Sequence, residues 1–114
     1  MTLLAIDPGY DRCGIAVVKD GRDPDIVYST CITTNKSDSH KDRITTIYKE
    51  IERVLSIHKP EGIALETLFF SVNKKTALKV AEARGVVVLL AGLHNIPLYE
   101  ISPQAVKIAM TGVG

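Results

Sequence analysis

Gly62-Ile63-Ala64-Leu65-Glu66 is a short apolar run that ends on a carboxylate. The chain opens on the same pattern, in Leu3-Leu4-Ala5-Ile6-Asp7-Pro8-Gly9. Each run has the length of a buried strand and is bounded by breaker residues. Each delivers an acid where its strand stops. Parallel strands of this kind end at one rim of a sheet, and open α/β folds place their sites at that rim. Two carboxylates brought together there repel unless a cation lies between them. The pattern therefore predicts a divalent-metal site at Asp7 and Glu66.

Working outward, Leu3 to Asp7 is apolar on both faces and belongs in the middle of the sheet. Cys13 to Lys19 and Ile26 to Thr33 read as two further strands, separated by the turn signal Asp20-Gly21. The opening is an antiparallel meander. Thr34 to Lys41 is polar loop. From Lys41 to His58, Ile44, Ile47, Ile51, Val54 and Leu55 recur at helical spacing. A right-handed crossover then lays the Glu66 strand parallel to the first.

Asn73 is a predicted N-cap for a second helix running to about Asn95. Ala77, Ala81, Gly85, Val88 and Gly92 form a line of small residues along it. That line suits close packing, either within the domain or against a second copy. Ile96 to Ile101 is the last strand, and Ser102-Pro103 opens a short helix. The order β-β-β-α-β-α-β-α predicts a ribonuclease H-like α/β domain over 1–114, with a mixed five-stranded sheet and flanking helices.

The 14 basic and 13 acidic residues nearly cancel, but unevenly. Up to Glu66 there are nine Lys/Arg against eleven Asp/Glu; from Thr67 onward there are five against two. A basic half beside a carboxylate rim suits a polyanion held over metal, although solvated helix faces give the same count. Cys13 and Cys31 have no metal-ligand or CxxC spacing and read as reduced residues of a cytoplasmic protein. Met1 leads directly into a strand, without a signal peptide, and no apolar run is long enough to span a bilayer.

Carboxylates favour hard cations, Mg²⁺ or Mn²⁺. Two such ions about 3.5–4 Å apart activate a water and stabilise the leaving oxygen in phosphodiester hydrolysis. Two acids are few for that task, so one or two more are expected from elsewhere. Phe69 and Phe70 follow the acid, as core residues or with one ring placed to stack on an unpaired base. Lys74 and Lys75 stand where the second helix begins, either solvated or holding phosphate. Lys107 is a further candidate phosphate contact. His40, His58 and His94 show no ligand spacing and read as surface or helix-end residues.

These residues resemble the RuvC family of bacterial Holliday-junction resolvases. Ala5-Ile6-Asp7-Pro8-Gly9 is similar to its first motif, and Ala64-Leu65-Glu66-Thr67-Leu68-Phe69 with Asn73 to its second. Ala77-Leu78-Lys79 and Ala83-Arg84-Gly85 resemble its long central helix. Glu100, Pro103-Gln104-Ala105-Val106-Lys107 and Thr111-Gly112-Val113-Gly114 resemble the segment after it.

The resemblance implies a homodimer that binds four-way junction DNA and nicks two strands of like polarity. It implies two divalent ions held by Asp7 and Glu66, a base-stacking role for Phe69, and Lys107 near the scissile strand. It places the small-residue helix at the dimer interface and implies a branch-migration complex (RuvA, RuvB) as partner. The family's third motif, an acid pair on a later helix, is not found before Gly114. The expectation is therefore a domain lacking its C-terminal helices, which binds junctions and cuts them weakly or not at all. A junction-binding module without nuclease activity is the alternative. An ATP-dependent protein of the actin and sugar-kinase group would need a phosphate loop richer in Gly, Ser and Thr than Asp7-Pro8-Gly9-Tyr10.

Overall fold

The first strand organises the sheet because both of its edges are paired. In the computed structural model, which describes residues 1–19, 21, 25–66 and 74–101, β1 spans Thr2–Asp7. It is followed by β2 (Arg12–Lys19), β3 (Asp25–Thr33), α1 (His40–His58), β4 (Gly62–Glu66), α2 (Lys74–Leu93) and β5 (Leu98–Ile101). The strand order is β3-β2-β1-β4-β5. β1 to β3 form the expected antiparallel meander, with a register shift between Val17 and Val18. β4 runs parallel to β1, and β5 parallel to β4. This is the mixed five-stranded sheet that the sequence predicts. The predicted helix after Ser102 lies outside the described residues.

Alternation along the strands sorts the two faces. Leu4 and Ile6, Cys13, Ile15 and Val17, Ile32, and Ile63 and Leu65 form one buried cluster with α1 and α2. From α1 come Ile47, Ile51, Val54 and Leu55; from α2 come Ala83, Val87, Leu90 and Ala91. Each fully buried Leu or Ile contributes about 1.5–3 kcal/mol by leaving water. The other face carries Ala5, Ala16 and Ala64, paired across β2, β1 and β4 and also buried. Cys13 is buried and Cys31 is exposed, and both are free thiols. Burial raises the Cys13 thiol to about 11, so it stays a thiol at neutral pH.

Local signals set the helix ends. The Ser39 hydroxyl accepts from the Asp42 N–H at the start of α1. Lys59, at φ 45°, closes α1 in the left-handed conformation, its N–H bonding the Leu55 carbonyl at 3.0 Å. β5 is shorter than predicted. Ile96 is drawn back to the Ala91 carbonyl, and the Pro97 carbonyl already accepts from Ile63, so regular pairing begins at Leu98.

α2 turns a different stripe toward the sheet. Its buried stripe is Ala83, Val87, Leu90 and Ala91, not the line of small residues. Gly85 and Gly92 meet nothing within 4 Å of an added Cβ among the described residues. Among the described residues, Gly85 and Gly92 therefore do not pack within the domain.

Candidate active site

Parity fixes where the acids point. Ile6 and Leu65 pair across β1 and β4 and face the helices, so Asp7 and Glu66 turn to the alanine face at the same end of both strands. Gly14 lies opposite Asp7 on β2, and a Cβ there would come within 3.8 Å of the Asp7 Cβ. Glu66 is half-buried, Asp7 exposed.

The two carboxyl groups interact directly. Burial raises Glu66 from 4.5 to about 7, and a hydrogen bond to Asp7 and the charge of Asp7 add to the rise. Near pH 7 Glu66 is therefore still partly protonated, and a cation would displace that proton. Two oxygen donors on rigid strand ends, short of positive charge, fit a hard divalent ion with water in its remaining positions. Among the described residues, no group of three or more His, Cys, Asp or Glu side chains gathers. The expected further acids are not supplied by this part of the chain.

Asp11 is not one of them. Its carboxylate is held by Arg43 and faces Lys36 at 4.0 Å. The Arg43 hydrogen bond holds the Asp11 carboxyl below its usual range. Arg43 is buried, 3.9 Å from the centre of the Tyr10 ring, and its Nε donates to the Thr34 hydroxyl. Thr34 in turn donates to the Tyr10 carbonyl at 2.8 Å. The Tyr10 hydroxyl lies 2.6 Å from His40 Nδ1, and His40 Nε2 lies 3.2 Å from Glu82. One neutral tautomer satisfies both contacts, accepting from Tyr10 and donating to Glu82.

This network pins the loop after Asp7 to α1 and α2. Its sequence signal was Arg43 itself, one helical turn before Ile47 on the apolar stripe. Gly9 completes the loop, since an added Cβ would run into the Arg12 carbonyl oxygen.

The other predicted residues divide. Lys74 and Lys75 are the first two residues of α2. Phe69 and Lys107 lie outside the described residues. His40 and His58 are the first and last residues of α1, and His94 follows α2, as expected. His94 Nε2 lies 2.8 Å from the Glu52 carboxylate and ties α2 to α1.

Fold and rim define a class: a ribonuclease H-like α/β protein whose central parallel strands deliver a carboxylate pair. Within that class, the family model described as Crossover junction endodeoxyribonuclease RuvC matches residues 3–114. The protein of that name from Brachyspira hyodysenteriae is 43% identical over 100% of this chain and 72% of its own length. That from Thermosipho melanesiensis is 42% identical over 100% of this chain and 73% of its own. A structure of T. thermophilus RuvC in complex with Holliday junction substrate superposes with a TM-score of 0.86 at 28% identity, covering 94% of this chain and 69% of that one. The chain belongs to the RuvC family, and this membership replaces the ATP-dependent alternative.

Proposed function

We propose that this chain carries the activity of its family, nicking two strands of a four-way DNA junction by metal-dependent phosphodiester hydrolysis. The observation that carries the reading is the placement of Asp7 beside Glu66 at one sheet rim in a RuvC-family chain.

Asp7 and Glu66 would hold Mg²⁺ or Mn²⁺. The bound metal supplies an activated water and charge stabilisation at the leaving oxygen. Asp7 and Glu66 orient their carboxylates from β1 and β4, and the Arg43–Asp11 pair keeps the intervening loop in place. A two-ion site needs further oxygen ligands, and we assign these to acids other than the two that the described residues bring to the rim. Phe69 is the base-stacking ring, and Lys74, Lys75 and Lys107 are phosphate contacts. The outward side of α2, with Leu78, Leu89 and Leu93 exposed, is the surface for a second copy. A cytoplasmic location and a branch-migration complex as partner complete the reading. No helix among the described residues is long and apolar enough to cross a membrane.

The test uses one labelled four-way junction and a duplex of the same sequence, with wild type and Asp7→Asn, in Mg²⁺, Mn²⁺ or EDTA. Junction-selective retardation with weak, metal-dependent nicking that Asp7→Asn abolishes is the expected result. Retardation without nicking would instead establish the binding module, and no junction preference would overturn both.

A further inference from the structure

The loop that leaves Asp7 also walls a second feature on the helix side of the rim. A cavity of about 490 Å³ lies there, lined by Gly9, Tyr10, Asp11, Lys36, Arg43 and Lys79. Three cations face it against one carboxylate. That carboxylate is committed to Arg43, so the charge still uncompensated comes from the two lysines.

Lys36 is only loosely engaged. Its side chain is 82% exposed and its nitrogen lies 4.0 Å from Asp11. An exposed pair at that distance contributes little, and a stronger anion can take the ammonium over. The Lys79 nitrogen lies 5.4 Å from the centre of the Tyr10 ring, over the same loop. The buried Arg43 and the Thr34 bond to the Tyr10 carbonyl fix the floor between them. A wide, net-positive recess with a fixed floor and two adaptable ammonium groups suits an oxyanion that arrives on a chain.

Chain reach sets the distance. Gly9 is two residues past Asp7, so their Cα atoms are at most about 7 Å apart. A nucleic-acid strand advances about 3.4 Å per nucleotide. A strand whose reacting phosphate lies at Asp7 therefore brings a neighbouring phosphate, within about two nucleotides, over the cavity.

We propose that this cavity seats a backbone phosphate of the DNA strand held at the acids, clamped between Lys36 and Lys79. The proposal rests on the junction-cleaving reading and adds a phosphate subsite on the opposite side of the Asp7 loop. Because phosphates carry no base identity, the subsite sets the register of the strand rather than its sequence.

The experiment is the salt dependence of junction binding by this chain, measured in EDTA. Wild type is compared with Lys36→Gln/Lys79→Gln, with Lys36→Arg/Lys79→Arg and with Lys49→Gln, an exposed lysine away from the cavity. Each lost phosphate contact lowers the slope of log K against log salt by about 0.9. The glutamine double variant is expected to lose about one slope unit per protomer. The arginine double variant and Lys49→Gln keep the wild-type slope, and circular dichroism confirms that all four chains are folded.

A second series replaces single phosphates of the strand by methylphosphonate. Wild type loses slope at one linkage within about two nucleotides of the nick position, and the glutamine double variant does not. A glutamine double variant whose slope equals that of Lys49→Gln overturns the subsite. Absence of junction binding by wild type overturns the functional reading, and the subsite with it.

Discussion

Ile6 and Leu65 face each other in the parallel register of β1 and β4, which sets the next residues, Asp7 and Glu66, side by side. Burial, and then the hydrogen bond and charge of Asp7, push the Glu66 carboxyl up to about 7. Between 4.5 and 7 the folded chain holds a proton that the unfolded chain has released. The stability from that proton is fully present below 4.5 and is lost as pH rises through about 7.

A divalent ion needs the carboxylate, so metal uptake below pH 7 should expel the proton. Mn²⁺ affinity is expected to rise about tenfold per pH unit toward 7 and then level. Glu66→Gln should weaken binding and flatten the profile. Titration calorimetry in two buffers of different ionisation enthalpy checks the proton release directly; equal heats in both would contradict it.

Replacing Asp7 by Asn removes the charge that opposes Glu66. The chain should be unchanged or more stable at pH 8, by up to about 1 kcal/mol, because like charges side by side on adjacent strands destabilise a sheet. Metal-dependent nicking should fall by more than about a hundredfold, beyond what loss of a merely supporting residue costs. Urea unfolding and junction nicking on the same preparation test the two halves. A destabilised variant would mean that Asp7 is structural.

Arg43 is the opposite case. Its guanidinium is buried against Tyr10, donates to Thr34 and pairs with the half-exposed Asp11. Arg43→Ala removes all three contacts and leaves a hole beneath the loop. A loss of about 2–4 kcal/mol is expected, read as a lower urea midpoint. Arg43→Lys should recover only part, since an ammonium cannot stack and fork at once. The Asp11 contribution has the opposite pH sign to that of Glu66. It is present above 3.8 and is lost as pH falls through the lowered value in the folded chain.

Gly9→Ala tests whether loop shape controls the acid. An added Cβ meets the Arg12 carbonyl, which is backbone and cannot rotate away. The loop must open, at a cost of about 2 kcal/mol or more. Mn²⁺ affinity should fall with it, because Asp7 is two residues away. Retained affinity in a destabilised chain would separate the loop from the site.

The acid pair was legible because two apolar runs each stop on a carboxylate, and a helical crossover makes such strands parallel. The meander was legible from its turn residues and its β-branched third strand. The Asp11–Arg43–Tyr10 network was not, for a physical reason. Its members come from the loop after β1 and from α1, far apart in the chain, and none belongs to a local pattern of charges. The usable clue was Arg43, which continues the Ile47, Ile51 and Leu55 stripe by one turn and so had to be buried with a partner. The side that α2 turns inward was also not readable from residue size. Small residues permit close approach, while the larger stripe of Val87 and Leu90 takes the core.

That orientation leads to the remaining prediction. Leu78, Leu89 and Leu93 are 66%, 54% and 63% exposed on α2, with Val88 at 40% beside them. Singly exposed leucines are ordinary, but a run of them along one helix beside Gly85 and Gly92 forms a surface that a second helix can approach closely. If this surface joins two copies, a charge in its middle must be expelled from the interface. Leu89→Glu should convert a dimer to a monomer in sedimentation equilibrium, with affinity weakened by at least about a hundredfold, the cost of an unpaired buried carboxylate. Because Leu89 is exposed in its own chain, the monomer should keep its far-ultraviolet spectrum. Junction retardation should weaken as the second set of phosphate contacts is lost. A variant that stays dimeric would place the interface elsewhere. A wild type already monomeric at micromolar concentration would mean that α2 alone does not bury enough apolar surface to hold two copies together.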